Sequence, residues 1–124
     1  MSERWSSKKV EHLLKTLSHG GKAFPVTESV RKAPIRGHPA RYGYTTRGYL
    51  SIDMAYGGCK LVYNLPYSSG VHDVTSGFVS SGKLADRLES MGTAGLAATY
   101  RSLEKHFRPG QKERYERKRA KGEI

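Results

Sequence analysis

The strongest constraint on the fold is an alternation of apolar and polar residues on both sides of Gly57-Gly58, from Tyr49 to Leu65. With the two glycines at the tip of a two-residue hairpin, where both can adopt positive φ, the predicted pairs are Tyr56 with Cys59, Met54 with Leu61, Ile52 with Tyr63 and Leu50 with Leu65. All of these pairs fall on one face. The other face receives Ala55 with Lys60, Asp53 with Val62 and Ser51 with Asn64, a mixed set that can meet water. Since a slip of one residue would destroy this segregation, the sequence predicts an antiparallel hairpin over 49–65.

Helical spacing precedes and follows the hairpin. Val10, Leu13, Leu14 and Leu17 predict a helix from about Ser7 to Ser18, capped by Ser6 or Ser7 and ended by Gly20-Gly21. After a turn over 66–70, residues 71–75 predict a short third strand. Ser80 or Ser81 then begins a helical pattern that carries Leu84, Leu88, Met91, Leu96, Tyr100, Leu103 and Phe107. Gly92 and Gly95 favour two helices with a break near Gly92, a single kinked helix being the alternative.

These elements predict an α+β fold, with an N-terminal helix, a small antiparallel sheet of two to three strands, and C-terminal helices packed on one face. A chain of 124 residues has room for one domain, predicted over 1–110. It includes a long basic loop over 24–47, which Pro25, Pro34 and Pro39 interrupt. Pro109-Gly110 is predicted to end the helical pattern. The charged tail over 111–124 is predicted to be a solvated helix or disordered.

The net charge of +11 is concentrated at the two ends of the chain. Residues 1–49 contribute +7 and residues 101–124 contribute +5, whereas residues 50–100 contribute −1. Basic arms around a near-neutral centre are typical of a fold that presents cations to a polyanion, although the same residues also keep a small protein soluble. The chain shows no signal sequence and no apolar run long enough to span a bilayer, so we expect no membrane partner and a cytoplasmic location, or a nuclear one if the cell has a nucleus.

The loop and the tail contain the candidate binding residues. Loop cations combine with tyrosines in the run Arg41-Tyr42-Gly43-Tyr44-Thr45-Thr46-Arg47-Gly48-Tyr49, where arginine suits phosphate and tyrosine suits a stacked base. The structural alternative is an edge strand that turns its tyrosines to the core. The cations of the tail are suited to contacting phosphates but not to reading bases, and the glutamates between them weaken their positive field. The candidate binding set is Arg31, Lys32, Arg36, Arg41, Tyr42, Tyr44, Arg47, Tyr49, Arg114, Arg117, Lys118 and Arg119.

Catalytic and metal sites are not predicted. A metal-independent ribonuclease would need a general base and a general acid beside a cation, for which His72, His106 and Lys83 are the candidates, but their spacing does not require this role. His12 and His19 are too far apart on a helix to share an ion, and the single cysteine, Cys59, neither forms an internal disulfide nor completes a zinc site. We therefore predict no catalytic residue, no metal and no cofactor.

The hairpin sequence Gly48-Tyr49-Leu50-Ser51-Ile52-Asp53-Met54-Ala55-Tyr56-Gly57-Gly58-Cys59-Lys60-Leu61-Val62 is followed by Gly70-Val71-His72-Asp73-Val74 and a Ser-Gly-Lys-Leu helix start. Over about residues 48–91 the chain resembles small accessory proteins of bacteriophages and other mobile elements. The resemblance implies a class that binds nucleic acid or blocks host machinery, as anti-CRISPR proteins do. It assigns no role to any residue.

From the sequence we therefore expect a small, non-enzymatic, phage-type accessory protein that binds DNA or RNA through phosphates. The second hypothesis is an inhibitor or adaptor that binds a host protein complex through the same cations, since an acidic protein face attracts them equally. The third is the small ribonuclease. The free edges of a small sheet also allow pairing into a homodimer.

Overall fold

A computed structural model of the chain describes residues 6–27, 32–33, 44–68 and 70–122. The elements are α1 (Ser7–Leu17), β1 (Lys32–Ala33), β2 (Tyr44–Thr45), β3 (Tyr49–Ala55), β4 (Gly58–Asn64), β5 (Val71–Asp73) and α2 (Ser81–Ala120). Strands β3, β4 and β5 form an antiparallel sheet in that order, and β1 pairs with β2 separately. This is the predicted α+β arrangement. The pairing of β1 with β2 was not predicted, although β2 lies within the run for which an edge strand was the structural alternative.

Helix α1 agrees with the prediction. The Ser6 side chain caps it by accepting a hydrogen bond from the backbone N–H of Lys9 at 3.3 Å. Val10 and Leu14 are buried against the core, since residues four apart share one face of a helix. The predicted stop also holds, because the chain turns through Gly20 and Gly21, both at positive φ.

The predicted register of the hairpin is wrong. Met54 pairs with Cys59, Ile52 with Leu61 and Leu50 with Tyr63, so each residue of β3 lies opposite a residue two positions earlier in the chain than predicted. A displacement of two residues keeps each side chain on its face, so the apolar segregation survives.

The turn consists of Tyr56 and Gly57 instead of Gly57 and Gly58. Tyr56 has φ 53° and Gly57 has φ 70°, as a two-residue turn of this hand requires. Gly58 belongs to β4 because the chain passes close to it: a Cβ at this position would lie 2.8 Å from the carbonyl oxygen of Val79. The sequence could not predict this neighbour, since Val79 joins Cys59 by two backbone hydrogen bonds of 2.8 and 2.9 Å across 20 residues of chain.

Strand β5 ends at Asp73, two residues before the predicted end at Thr75. Thr75 leaves the strand because its hydroxyl accepts the backbone N–H of Leu61 at 3.0 Å, which replaces a ladder bond with a side-chain bond. The turn after β4 closes as predicted, with the N–H of Leu65 donating to the carbonyl of Gly70 at 3.0 Å.

Helix α2 breaks where predicted and continues where it was not expected to. Gly92, at φ 66° and ψ 178°, divides it into residues 81–91 and 93–120. The prediction that Pro109-Gly110 ends the helical pattern is wrong, since the helix runs through Pro109 to Ala120. Aromatic contacts anchor it on both sides of the proline: Phe107 stacks on Tyr63 at 6.0 Å, and Tyr115 meets Tyr67 at 4.9 Å between ring centroids. The tail is therefore helical as far as Ala120.

The core lies between one face of the sheet and the two helices. Its largest fully buried side chains include Tyr63, Phe24, Leu50, Leu61, Leu84, Leu88 and Leu96. Within the described residues, no helix is both long enough and apolar enough to cross a membrane.

Candidate nucleic-acid interface

Gly48, at the end of the basic loop, is held by α2 through both of its backbone groups. Its N–H donates to Glu104 Oε1 at 2.6 Å, and its carbonyl accepts from the Tyr100 hydroxyl at 2.9 Å. Tyr100 and Glu104 are four residues apart and so project from one face of the helix. This attachment fixes the neighbouring Arg47 against α2.

The Glu104 carboxylate also accepts a hydrogen bond from the Tyr63 hydroxyl, at 2.5 Å. Tyr63 is fully buried, and the Glu104 side chain is only 15% exposed. Glycine is required at position 48 because a Cβ there would overlap the Tyr63 ring. The carboxylate therefore joins the loop, the central strand and the helix at one point.

The pKa values of the two tyrosines reflect this environment. Burial raises the pKa of Tyr63 far above its ordinary value, and the hydrogen bond and negative charge of Glu104 raise it further. Burial and Glu104 likewise raise the pKa of Tyr100, whereas the positive charges of Arg47 and Arg108 lower it. Both hydroxyls therefore remain donors at neutral pH. Gly48 is bonded to Tyr100 and Glu104, and Arg108 lies 4.0 Å from Glu104, so Arg47 and Arg108, 61 residues apart in the chain, lie near the same part of α2.

Exposed cations follow one face of α2 beyond this point. Their spacings of four, three, four and seven residues keep them on one side of a helix, at about 100° per residue. We call this set the cationic stripe: Arg101, Lys105, Arg108, Lys112 and Arg119, all exposed. It extends about 27 Å along the axis at about 1.5 Å per residue. Glu104, beside the stripe, turns inward to Gly48 and Tyr63, and its Oε2 lies 4.0 Å from Arg108 Nε.

Part of the predicted binding set lies outside the described residues, namely Arg31, Arg36, Arg41 and Tyr42. For Lys32 and Tyr44 the structure gives the strand position, in β1 and β2. Arg47 is exposed beside α2. Tyr49 is half-buried, and this burial raises its pKa. Only part of its ring is therefore open to stack on a base.

The tail cations divide between two sides of the helix. Arg119 continues the cationic stripe, whereas Arg114 and Arg117 project from the opposite side at about 100° per residue, and Lys118 lies beyond them. Arg117 forms a salt bridge with Glu113 at 3.1 Å, and this carboxylate partly neutralises its charge. The predicted tail set is thus not a single surface.

Two of the three ribonuclease candidates, His72 and His106, lie around one aromatic ring. The His72 and His106 rings lie 5.2 and 4.7 Å from that of Phe107, measured between centroids. Lys83 belongs to the first turn of α2, ahead of the Gly92 break. Among the residues described, no three histidine, cysteine or acidic side chains are grouped so that they could hold a metal ion.

Sequence reasoning missed Gly48, Tyr63, Tyr100 and Glu104 as a connected group. One signal was present: Glu104 is an acidic residue within the apolar helical pattern of Tyr100, Leu103 and Phe107. A carboxylate in that position needs hydrogen-bond donors when the helix packs, but the pattern does not identify them. No protein-family model, no curated protein and no solved structure matches the chain.

Proposed function

We propose that the chain binds nucleic acid by contacting the phosphates of the nucleic-acid backbone with the cationic stripe of α2 and with Arg47. One observation carries the proposal: Gly48 is bonded to Tyr100 and Glu104, so the adjacent Arg47, from the N-terminal half of the sequence, lies near the part of α2 that carries Arg108. A surface that gathers like charges from distant parts of the chain is suited to a linear polyanion.

The length and exposure of the stripe support the proposal. Over about 27 Å it passes several phosphates of either strand, which are about 3.4 Å apart along a duplex axis. Arg108 is 48% exposed on its side chain, so its guanidinium is available although Glu104 lies nearby. Arginine and lysine in such a row contact phosphates without reading bases, and we propose binding with little sequence preference.

The test compares two variants of equal net charge. Arg101→Gln, Lys105→Gln and Lys112→Gln together remove three cations from the stripe, and the matched control Arg114→Gln, Arg117→Gln and Lys118→Gln removes three from outside it. Affinity for fluorescent duplex DNA, duplex RNA and single strands is measured by anisotropy over a range of salt. Each lost phosphate contact makes the negative slope of log K against log salt shallower by about 0.9 for a duplex.

We expect the stripe variant to lose affinity and up to about 2.7 units of slope, and the control to lose much less. Equal losses would mean that net charge alone drives binding and would contradict the stripe. An absence of binding to every probe at low salt would contradict the proposal itself and leave an acidic protein face as the partner. Cleavage of RNA that disappears in both His72→Ala and His106→Ala would instead support the ribonuclease hypothesis. The phage-type accessory role rests on the sequence resemblance alone.

A further inference from the structure

Strand β3 forms one edge of the sheet, and its backbone groups on the outer side show a definite pattern. The N–H of Leu50 donates to the carbonyl of Pro25 at 3.0 Å, so residue 50 directs its backbone polar groups away from β4. Ile52 and Met54 have the same orientation, since it repeats every second residue. Along the part of the chain that the structure describes, no backbone hydrogen bond satisfies their outward N–H and C=O groups.

The side chains at this edge are apolar and partly exposed. Met54 is 48% exposed and Tyr56 is 94% exposed, whereas Ile52 is buried at the end of a groove between α1 and β3. The ring of Tyr56 touches Phe78 edge-on at 5.6 Å and remains open to solvent elsewhere. A strand edge that no described residue pairs beyond Leu50, and that carries apolar side chains, is a template for another strand.

A second copy of the chain fits this edge in one register. A two-fold axis at Asp53 would place two aspartates directly opposite each other, which is unfavourable. An axis at Ile52 would require the N–H of Leu50, which already bonds to Pro25. An axis at Met54 pairs Met54 with itself, sets Asp53 against Ala55 of the second copy, and brings Ile52 next to Tyr56 of the second copy. This register pairs the free backbone groups of Met54 and opposes no like charges.

We propose that the chain forms a two-fold dimer by antiparallel pairing of β3 with β3 of a second copy, with Met54 on the axis. The contact is short, so the dimer forms at high chain concentration. Because each copy carries a net charge of +11, added salt screens their repulsion and strengthens the dimer. Nucleic-acid binding responds to salt in the opposite direction, and dimerisation is measured without nucleic acid, so the two proposals fail independently.

Two cysteine variants test the register. Residues in a hydrogen-bonded antiparallel pair have Cα atoms about 5.5 Å apart, within the range that a disulfide spans. Under mild oxidation, Met54→Cys should therefore form a disulfide-linked dimer, while Asp53→Cys, which faces Ala55 of the second copy, should remain monomeric. Both variants are made in a Cys59→Ala background, because Cys59 lies directly opposite Met54 in the hairpin and would otherwise capture the new thiol within one chain. The Cys59→Ala chain is the control. Cross-linking of Asp53→Cys but not Met54→Cys, or equal cross-linking of both, would overturn the proposed register.

Sedimentation equilibrium tests the dimer itself. The parent chain at high concentration should approach twice its 13.8 kDa mass, and more closely as salt is added. Met54→Arg places two like charges on the axis and should abolish the dimer. The control Val71→Arg changes a residue of similar exposure, 51%, on β5 at the other edge and should leave it intact. A parent chain that stays monomeric at millimolar concentration, or equal loss in both variants, would overturn the proposal.

Discussion

Glu104 accepts a hydrogen bond from the backbone N–H of Gly48 at 2.6 Å, across 56 residues of sequence. The same oxygen accepts the Tyr63 hydroxyl, so one carboxylate satisfies two donors in a part of the protein from which water is largely excluded. A charged acceptor makes stronger bonds than a neutral one, and its removal leaves both donors without a partner. This junction fixes the basic loop to the helix that carries the cationic stripe.

We expect Glu104→Ala to lower the free energy of unfolding by about 2–4 kcal/mol, because Tyr63 and Gly48 lose their acceptor. Glu104→Gln keeps an acceptor oxygen without the charge, and we expect a loss of about 1 kcal/mol. Urea denaturation measures both values. Glu116→Gln, an exposed change on the same helix, is the control and should alter stability by less than about 0.5 kcal/mol. Similar stabilities for all three variants would contradict the structural role of Glu104.

Gly48→Ala should destabilise the protein by about 3 kcal/mol, since the new Cβ would overlap the Tyr63 ring. The clash predicts a specific interaction between the two positions. In the background of Tyr63→Leu, which removes the ring, the same glycine substitution should cost much less. The unfolding free energies of the parent chain, the two single variants and the double variant give this coupling directly. Additive losses would show that Gly48 is not packed against the Tyr63 ring.

Alkaline pH should destabilise the fold through Tyr63 and Tyr100. Their pKa values are raised in the folded state, so the folded chain holds these protons more tightly than the unfolded chain does. The stability that this difference contributes is complete below the unfolded pKa of about 10 and is lost as pH rises above it. Each tyrosine adds a slope of about 1.4 kcal/mol per pH unit in that window.

The test measures the free energy of unfolding between about pH 9 and pH 11.5. Tyr100→Phe should reduce the alkaline slope by one proton's contribution, and Tyr63→Phe combined with Tyr100→Phe by two. Both variants also lose a hydrogen bond and start from lower stability, so the comparison is between slopes and not between absolute values. A slope unchanged in the double variant would contradict the assignment.

Tyr56→Asn should stabilise the chain by about 0.5–1 kcal/mol, because asparagine adopts positive φ more readily than tyrosine. Tyr56 has φ 53° and its ring is almost wholly exposed, so little packing is lost. Gly57→Ala, at φ 70°, should instead destabilise by about 1 kcal/mol. Thermal unfolding at dilute, monomeric concentration measures both, and a destabilised Tyr56→Asn would mean that the ring has a folded-state contact beyond Phe78.

Local patterns predicted the elements of this fold, but not the contacts that join them. The spacing of Val10 and Leu14 predicted α1, and the positive φ of Gly92 agrees with the predicted break in α2. The hairpin turn moved by one residue because Val79, distant in sequence, packs against Gly58. Likewise, Arg47 and Arg108 were both recognised as basic residues, but only the attachment of Gly48 to Glu104 brings them to the same side of α2.

The continuation of α2 through Pro109 leads to a final prediction. A proline inside a helix removes one hydrogen bond and costs about 3 kcal/mol relative to alanine, which the aromatic contacts of Phe107 and Tyr115 offset here. Pro109→Ala should therefore raise both the helical circular-dichroism signal and the stability, by about 1–3 kcal/mol. Gly110→Ala is a matched change, because a Cβ there meets no other group, and should gain up to about 1 kcal/mol. If Pro109→Ala loses stability while Gly110→Ala gains it, the proline itself is needed to bring Tyr115 onto Tyr67.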